Sequence, residues 1–488
     1  MGVIDLKSNY TSKEEVHNRA LEIRNIKFGE LTQSLNVAQT KNSVGDIFEA
    51  WFGKLKDSSS EPDLGVAELK ATPYKRLKNG TYSAKERLVL NIINYMDIVN
   101  ENFDNSHFLY KNGVIELAFY EYIKEISRDE WFFSHVALYE MAKNPDDFKI
   151  IRDDWKTIQK CIKSGHAEDL SESMTSYLAA CTKGANAKSL RNQPFSDVRA
   201  KQRAFSLKSS YMTQILRKYI LGDDKSESII SDSIELKNNS LDDILHKRFN
   251  KYVGKSTIEI SDMLGIEVPK SKQANSILTT GMIGLDVKNT SKSQNRLDNI
   301  SELNKASYKI KTIQFNSKGV NPQNMSFEAF KFQDLITQHW IDENDAPEAD
   351  LNVMFSESKF IFAVFQSDEK GNNFFKGIKF FRMPKKDIDG PIRDVWQDTI
   401  NKLKEGVKIT HKGKKNSNNF INKSDNMIIH VRPKSGQSSY VNDSNSNKLP
   451  VPAVWTNKPD GFSDDYMTTQ CFFLNNDYIK KVVIDLLD

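Results

Sequence analysis

Hydrophobic side chains in this chain recur with two spacings, and the alternation between them lays out its elements. Over residues 12–37 apolar positions fall at Leu21, Ile23 and Ile26 among charged neighbours, the spacing of one helix face. Ser12, with Glu15 three residues later, can cap that helix. A second helical stripe follows, Val44, Ile47, Phe48 and Trp51, with Glu49 at its edge. The period then shortens to two. Ala67, Leu69 and Ala71 alternate with Glu68 and Lys70, as side chains do on a half-buried strand. Residues 87–90, 115–120 and 136–139 read as further strands. The turn Asn144-Pro145-Asp146-Asp147 opens a helix over 148–164 that Gly165 stops. A strand over 177–182 runs into the small-residue loop at Lys183-Gly184. Residues 204–211 lead into a last helix that ends at Tyr219.

Length changes this picture. A chain of 488 residues exceeds one ordinary core, so two domains are expected. Residues 221–245 are acidic and rich in Ser and Asn and read as a linker, leaving domains 1–220 and 246–488. No apolar run is long enough to span a bilayer, and the N-terminal residues lack the apolar core of a secretory signal. Leu6 occupies the place where a myristoylation signal has Ser or Thr. Cys161, Cys181 and Cys471 are dispersed and odd in number, which fits a reducing cytoplasm and no structural zinc. The net charge of +4 is mildly basic and compatible with a polyanionic partner.

The candidate chemistry sits at Asp63 and at the strand that follows it. Period two puts Glu68 and Lys70 on one face, and a turn can bring Asp63 alongside. Two carboxylates and an ammonium suit Mg²⁺-dependent phosphodiester hydrolysis: carboxylate oxygens hold a hard cation, and Lys70 can orient or activate water. A charged strand edge is the plain alternative. Glu49 reads either as a third supporting carboxylate or as a solvated helix flank. Farther on, Lys183 in its small-residue loop can approach a phosphate or a base edge. Arg199, Lys201, Gln202 and Arg203, with Lys208 and Tyr211 at the start of the last helix, suit a DNA backbone; a solvated surface accounts for them equally.

The second half replays the first. Trp155 and Gly165 stand ten residues apart in one half, as Trp396 and Gly406 do in the other. Phe205, Leu207 and Tyr211 match Phe472, Leu474 and Tyr478. Met141 and Pro145 precede the first helix as Met383 and Pro384 precede the second, and Ser106 with Lys111 pairs with Ser326 and Lys331. Lys183-Gly184 has its counterpart in Arg432-Pro433-Lys434-Ser435-Gly436. At the decisive strand, Glu68 becomes Lys309, Lys70 becomes Lys311 and the Asp63 position falls on Asn304. An ammonium offers a metal no lone pair, so the second copy is expected to keep the fold without the chemistry.

Taken together, Gly45-x-x-x-Glu49, Glu61-Pro62-Asp63, Glu68-Leu69-Lys70-Ala71-Thr72 and Ser106-His107-x-x-x-Lys111 resemble the MutH family of DNA endonucleases. Over nearly its whole length the chain resembles MutH-like type II restriction endonucleases. The resemblance implies an α/β fold of two tandem restriction-endonuclease-like domains, each a central mixed sheet flanked by helices. It also implies Mg²⁺-dependent double-strand cleavage 5′ of the G in GATC. Its metal residues fall on Glu49, Asp63 and Glu68, its catalytic lysines on Lys70 and Lys111, and its DNA-contacting lysine on Lys41. The base-reading Arg-Pro-Lys loop falls on Arg432 and Lys434 in the second domain, where Tyr478, the match of Tyr211, is also expected to bind DNA. The first domain has Cys181-Thr182-Lys183 there, so Thr182 and Lys183, helped by Lys208 and Tyr211, are expected to read bases, with Lys183 on guanine. Expected partners are GATC-containing duplex DNA, a second copy of the chain on that DNA and, functionally, a cognate DNA methyltransferase, all in a bacterial cytoplasm. A strand-nicking mismatch-repair endonuclease and a non-catalytic DNA-binding regulator are the rival readings.

Overall fold

The computed structural model describes residues 9–487 apart from 39–42, 55–59, 78–79, 185–188, 223–225, 231–232, 269–272, 289–295, 322–323, 343–344 and 435. The chain divides into two compact units. The first comprises residues 1–245 with 296–308 and 343–345, and the second the remainder.

In the first unit, helix α1 (Lys13–Glu22) begins as the sequence predicts, with the Ser12 hydroxyl accepting the Glu15 N–H at 3.2 Å. The single helix expected over 12–37 is instead broken. Asn25 takes a left-handed conformation (φ 64°), and its N–H leaves the helix to bond the Phe133 carbonyl at 3.0 Å. Helix α2 (Ser43–Trp51) buries Val44, Ile47, Phe48 and Trp51, the stripe read from the sequence. Phe48 packs on Phe133 with ring centroids 5.3 Å apart, and each such buried aromatic contributes roughly 1.5–3 kcal/mol. Strand β1 (Glu68–Arg76) is central in a mixed four-stranded sheet. On one side it pairs antiparallel with β2 (Tyr82–Ala84). On the other it runs parallel to β4 (Val114–Glu121), which pairs antiparallel with β5 (Phe133–Glu140). A second, antiparallel sheet orders β3 (Leu88–Ile92), β7 (Arg203–Leu207) and β6 (Leu178–Thr182). Between β3 and β4 lies α3 (His107–Asn112); between the sheets' strands lies α4 (Pro145–Lys163), capped by Asn144 one turn earlier than the apolar pattern alone places it. Helix α5 (Ser209–Ile215) continues as a wider turn over Leu216–Ile220.

The segment 221–245 is not a bare tether. It carries the helix Ser233–Asn238 and the start of another, Leu241–Asn250, and buries Leu236, Leu241, Ile244 and Leu245. Residues 296–308, assigned to the second domain from sequence, belong to the first unit, because the Lys305 ammonium donates to both oxygens of buried Asp147 (2.8 and 3.0 Å).

The second unit contains a sheet of β8 (Tyr308–Phe315), β10 (Lys359–Ser367) and β11 (Asn373–Phe381). A second sheet, antiparallel, orders β9 (Met325–Phe330), β13 (Gln470–Leu474) and β12 (Ile429–Pro433). Helix α6 (Arg393–Glu405) ends at Gly406, and α7 (Asn476–Val483) follows β13. The matched pair Ser106 and Ser326 separates here: Ser106 caps α3, whereas Ser326 lies within β9. All three cysteines are free thiols, and among the described residues no helix is long and apolar enough to cross a membrane.

Candidate active site

The site is built on the first residue of β1. Strand periodicity turns Glu68 and Lys70 to the same face, and the Lys70 ammonium donates to Glu68 Oε1 at 2.5 Å. Asp63 stands in the preceding turn, which Gly65 closes in a left-handed conformation (φ 73°). The turn is latched to the strand twice. The Asp63 N–H donates to Glu68 Oε2 at 3.2 Å, and the Leu69 N–H donates to Asp63 Oδ2 at 3.1 Å. Each carboxylate is thus held by the backbone of the other's segment.

Two helices complete the cluster. α2 presents Glu49, whose carboxyl is pushed above its ordinary value by burial first and by the Asp63 charge second, with Lys70 pulling the other way. α3 presents Lys111, whose ammonium lies 3.8 Å from Glu68 Oε2 and donates to the Glu61 carbonyl at 3.0 Å. The same helix pins the loop before Asp63: Tyr110 donates to the Glu61 carboxylate, and His107 Nε2 meets the Ser60 carbonyl at 2.7 Å. The structure thus brings Asp63, Glu68, Lys70 and Lys111 together, and Glu49 feels the Asp63 and Lys70 charges from α2. The sequence reading missed Lys54, whose Nζ lies 3.5 Å from Asp63 Oδ1. The glycine directly after the α2 stripe, a helix-stop signal, was the available clue that the next residue turns back toward the site.

The donor set fits a hard divalent cation. It consists of carboxylate oxygens only, and beside the burial that raises Glu49 most, the Asp63 charge raises it further, a repulsion that such an ion relieves. Among the described residues, one trio, His166, Glu168 and Asp169, has its ligand atoms within 4.8 Å of one another, but all three are exposed. Glu49, Asp63 and Glu68 are not drawn as close; lysines face two of them instead.

On the opposite face of β1 lies a further carboxyl. Glu116 pairs in register with Leu69, is fully buried and meets His17 Nδ1 at 3.0 Å. Burial, the largest influence, raises its pKa to about 7, and His17 opposes the rise. Its folded value thus exceeds the unfolded one, so the folded state binds the extra proton. Stability is expected to fall as pH rises from roughly 4.5 to 7 and to level off above that. Glu116→Gln is expected to flatten that slope in urea melts across this range; an unchanged slope would show that Glu116 does not titrate there.

The expected DNA contacts divide. Lys183 is exposed at the end of β6, and the hydroxyl of Thr182 beside it donates to the carbonyl of Asp345, which clusters with the first unit, at 3.0 Å. Lys208 and Tyr211 are buried, contrary to expectation. The Lys208 ammonium donates to the Thr175 carbonyl at 2.6 Å. The Tyr211 ring stacks on Tyr177, and its hydroxyl donates to Asp147 Oδ2 at 3.2 Å. Neither tip is offered to a base, because both satisfy buried polar groups of the core. In the second unit Arg432 is half-buried over the Phe473 ring (5.4 Å), and Lys434 is exposed with its ammonium on the Phe327 carbonyl. The Tyr478 hydroxyl donates to Asp387 Oδ2 at 2.7 Å. Lys41 lies outside the described residues.

A mixed sheet presenting Asp-x₄-Glu-x-Lys between two helices defines a MutH-like nuclease domain. The family model described as DNA mismatch repair enzyme MutH matches residues 52–154, a stretch holding Lys54, Asp63, Glu68, Lys70 and Lys111. The chain is 24% identical over 223 residues to the DNA mismatch repair protein MutH of Pasteurella multocida (strain Pm70), covering 43% of this chain and 97% of that one. It is 50% identical over 490 residues to the type II restriction enzyme Sau3AI of Staphylococcus aureus, covering 98% of this chain and all of that one. The chain belongs to this family of type II restriction enzymes, which are site-specific deoxyribonucleases.

Proposed function

We propose that the first unit makes Mg²⁺-dependent double-strand cuts at GATC, 5′ of the G. The observation that carries this reading is the convergence of Asp63, Glu68, Lys70 and Lys111, whose charges reach Glu49 through Asp63 and Lys70. Asp63 and Glu68 hold the cation and Glu49 supports them. A bound Mg²⁺ supplies Lewis acidity and a more acidic water. Lys70 orients or deprotonates the attacking water. Lys111, fixed by the Glu61 carbonyl, stabilises charge on the phosphate. Lys183 reads guanine, with Thr182 beside it, and Lys41 contacts the backbone. Lys208 and Tyr211 act one layer back, holding β6 and α5 in place.

The second unit acts as a DNA-binding effector that engages another GATC site through Arg432, Lys434 and Tyr478. Its β8-β10-β11 and β9-β13-β12 sheets repeat the strand orders of β1-β4-β5 and β3-β7-β6, which supports a duplicated fold. Lys309 stands where Glu68 does in the first unit, so that copy lacks the carboxylate pair. With one active site per chain, a double-strand cut needs two chains or two sequential nicks, and assembly of two chains on DNA is the route proposed. A methyltransferase of the same specificity protects the host, and the enzyme works in the bacterial cytoplasm.

The test is purified protein on unmodified plasmid with Mg²⁺ and with EDTA. Double-strand fragments without helper proteins, in Mg²⁺ alone, are expected; nicked circles alone would favour a strand-nicking repair endonuclease, and no cleavage a DNA-binding regulator. Arg432→Ala is expected to slow cleavage of plasmids carrying several sites by about tenfold, the loss of one base-reading contact. Rates equal to wild type would remove the effector role.

A further inference from the structure

The turn after α2 brings a third lysine to the carboxylates, and its placement is fixed by the backbone. Gly53 adopts a left-handed conformation (φ 72°). Its N–H bonds the Ala50 carbonyl at 2.9 Å, and the Lys54 N–H bonds the Glu49 carbonyl at 3.1 Å. These paired bonds are the Schellman closure of a helix, and they lock Lys54 to the very residue whose carboxylate faces the site. The Lys54 side chain is only 10% exposed. It does not wave in solvent but runs back to Asp63.

The oxygen it meets matters. Asp63 Oδ2 already accepts the Leu69 N–H, so Oδ1 is the oxygen more open to a cation, and Lys54 Nζ lies 3.5 Å from it. Around it, Glu68 Oε1 holds Lys70, and Oε2 faces Lys111 and the Asp63 N–H. Three carboxylates, Glu49, Asp63 and Glu68, are matched by three lysines, Lys54, Lys70 and Lys111. Of these lysines, Lys54 is the one no catalytic role absorbs.

We propose that Lys54 is a built-in counter-cation of the metal site: it positions Asp63 in the metal-free protein and yields Asp63 Oδ1 when a divalent cation binds. It is a positioning residue, and its role rests on the metal site proposed above. A cation coordinated by that oxygen would stand within a few ångströms of the ammonium, where two positive charges repel strongly in a partly buried site. Lys54 therefore holds the empty site in shape and sets a threshold for metal entry.

The test is calorimetric titration of the DNA-free full chain with Ca²⁺ alone, beside melting in EDTA. Lys54→Met keeps the stem and removes the charge; Lys54→Gln serves if that variant does not fold. The neutral variant is expected to bind Ca²⁺ about tenfold more tightly, since one repulsive charge is gone. It should melt lower than wild type in EDTA, with the gap closing at saturating Ca²⁺. Lys54→Arg, which keeps the charge, is expected to stay within about twofold of wild type. Wild-type or weaker affinity in the neutral variant overturns the proposal. Glu68→Ala is the control. If it loses Ca²⁺ while Lys54→Met is unchanged, Lys54's role alone falls. If it binds Ca²⁺ as wild type does, the metal site is misplaced and Lys54's role falls with it.

Discussion

Glu68→Ala is expected to lower DNA cleavage by about 10³-fold or more while sequence-specific DNA binding in Ca²⁺ persists. The reason lies in how many parts of the site this one carboxylate joins. It accepts the Lys70 ammonium, faces Lys111 and receives the Asp63 N–H. Truncating it removes a proposed metal ligand, takes the carboxylate partner from Lys70, leaves Lys111 held by the Glu61 carbonyl, and opens one of the two latches between the Asp63 turn and β1. The remaining latch, Leu69 N–H to Asp63 Oδ2, belongs to the backbone of β1 and survives. The proposed DNA contacts, Lys183 among them, lie on other segments, so binding is expected to be retained. Gel-shift and plasmid-cleavage assays on one preparation check both halves; residual cutting near the wild-type rate would remove Glu68 from the metal site.

The second large effect is on stability. Asp154 on α4 is buried, and its carboxylate accepts three consecutive backbone N–H groups: Ser176 (2.7 Å), Tyr177 (2.6 Å) and Leu178 (2.9 Å). These bonds start strand β6, which ends at Thr182. Burial, the largest influence, raises the Asp154 pKa to about 6, and the three donors oppose it. At pH 8 the group is therefore ionised and bonded. Asp154→Ala leaves three buried donors without an acceptor and is expected to cost about 3–5 kcal/mol in urea unfolding at that pH. Asp154→Asn keeps one acceptor oxygen and is expected to fall between. A loss under about 1 kcal/mol for the alanine variant would mean that the β6 backbone finds other partners.

The contrast between these residues shows which parts of the molecule local sequence encodes. Glu68 and Lys70 were legible because strand periodicity alone sets their common face. The Ser12 cap and the α2 stripe were legible for the same reason: the rule spans four residues or one helix face. The break at Asn25 was not, because the bond that stabilises it goes to Phe133, more than a hundred residues away. Lys208 and Tyr211 were read as outward-facing because basic and aromatic residues at a helix start suit DNA. Their partners, the Thr175 carbonyl and the Asp147 carboxylate, come from other segments and turn both inward. Lys54 was missed because its role depends on the hand of one turn at Gly53 and on a carboxylate nine residues on. Asp154 gave no sign of its role, since a helix position cannot say which backbone it will face.

Asp63, Glu68 and Lys70 are proposed to cut both strands of DNA at one short sequence. Digesting unmodified DNA with the purified chain in Mg²⁺, and sequencing the ends produced, tests it most directly. Both strands are expected to end 5′ of the G in GATC, and Glu68→Ala is expected to yield no such ends. Ends scattered over unrelated sequences, breaks confined to one strand, or the same ends from Glu68→Ala would contradict it.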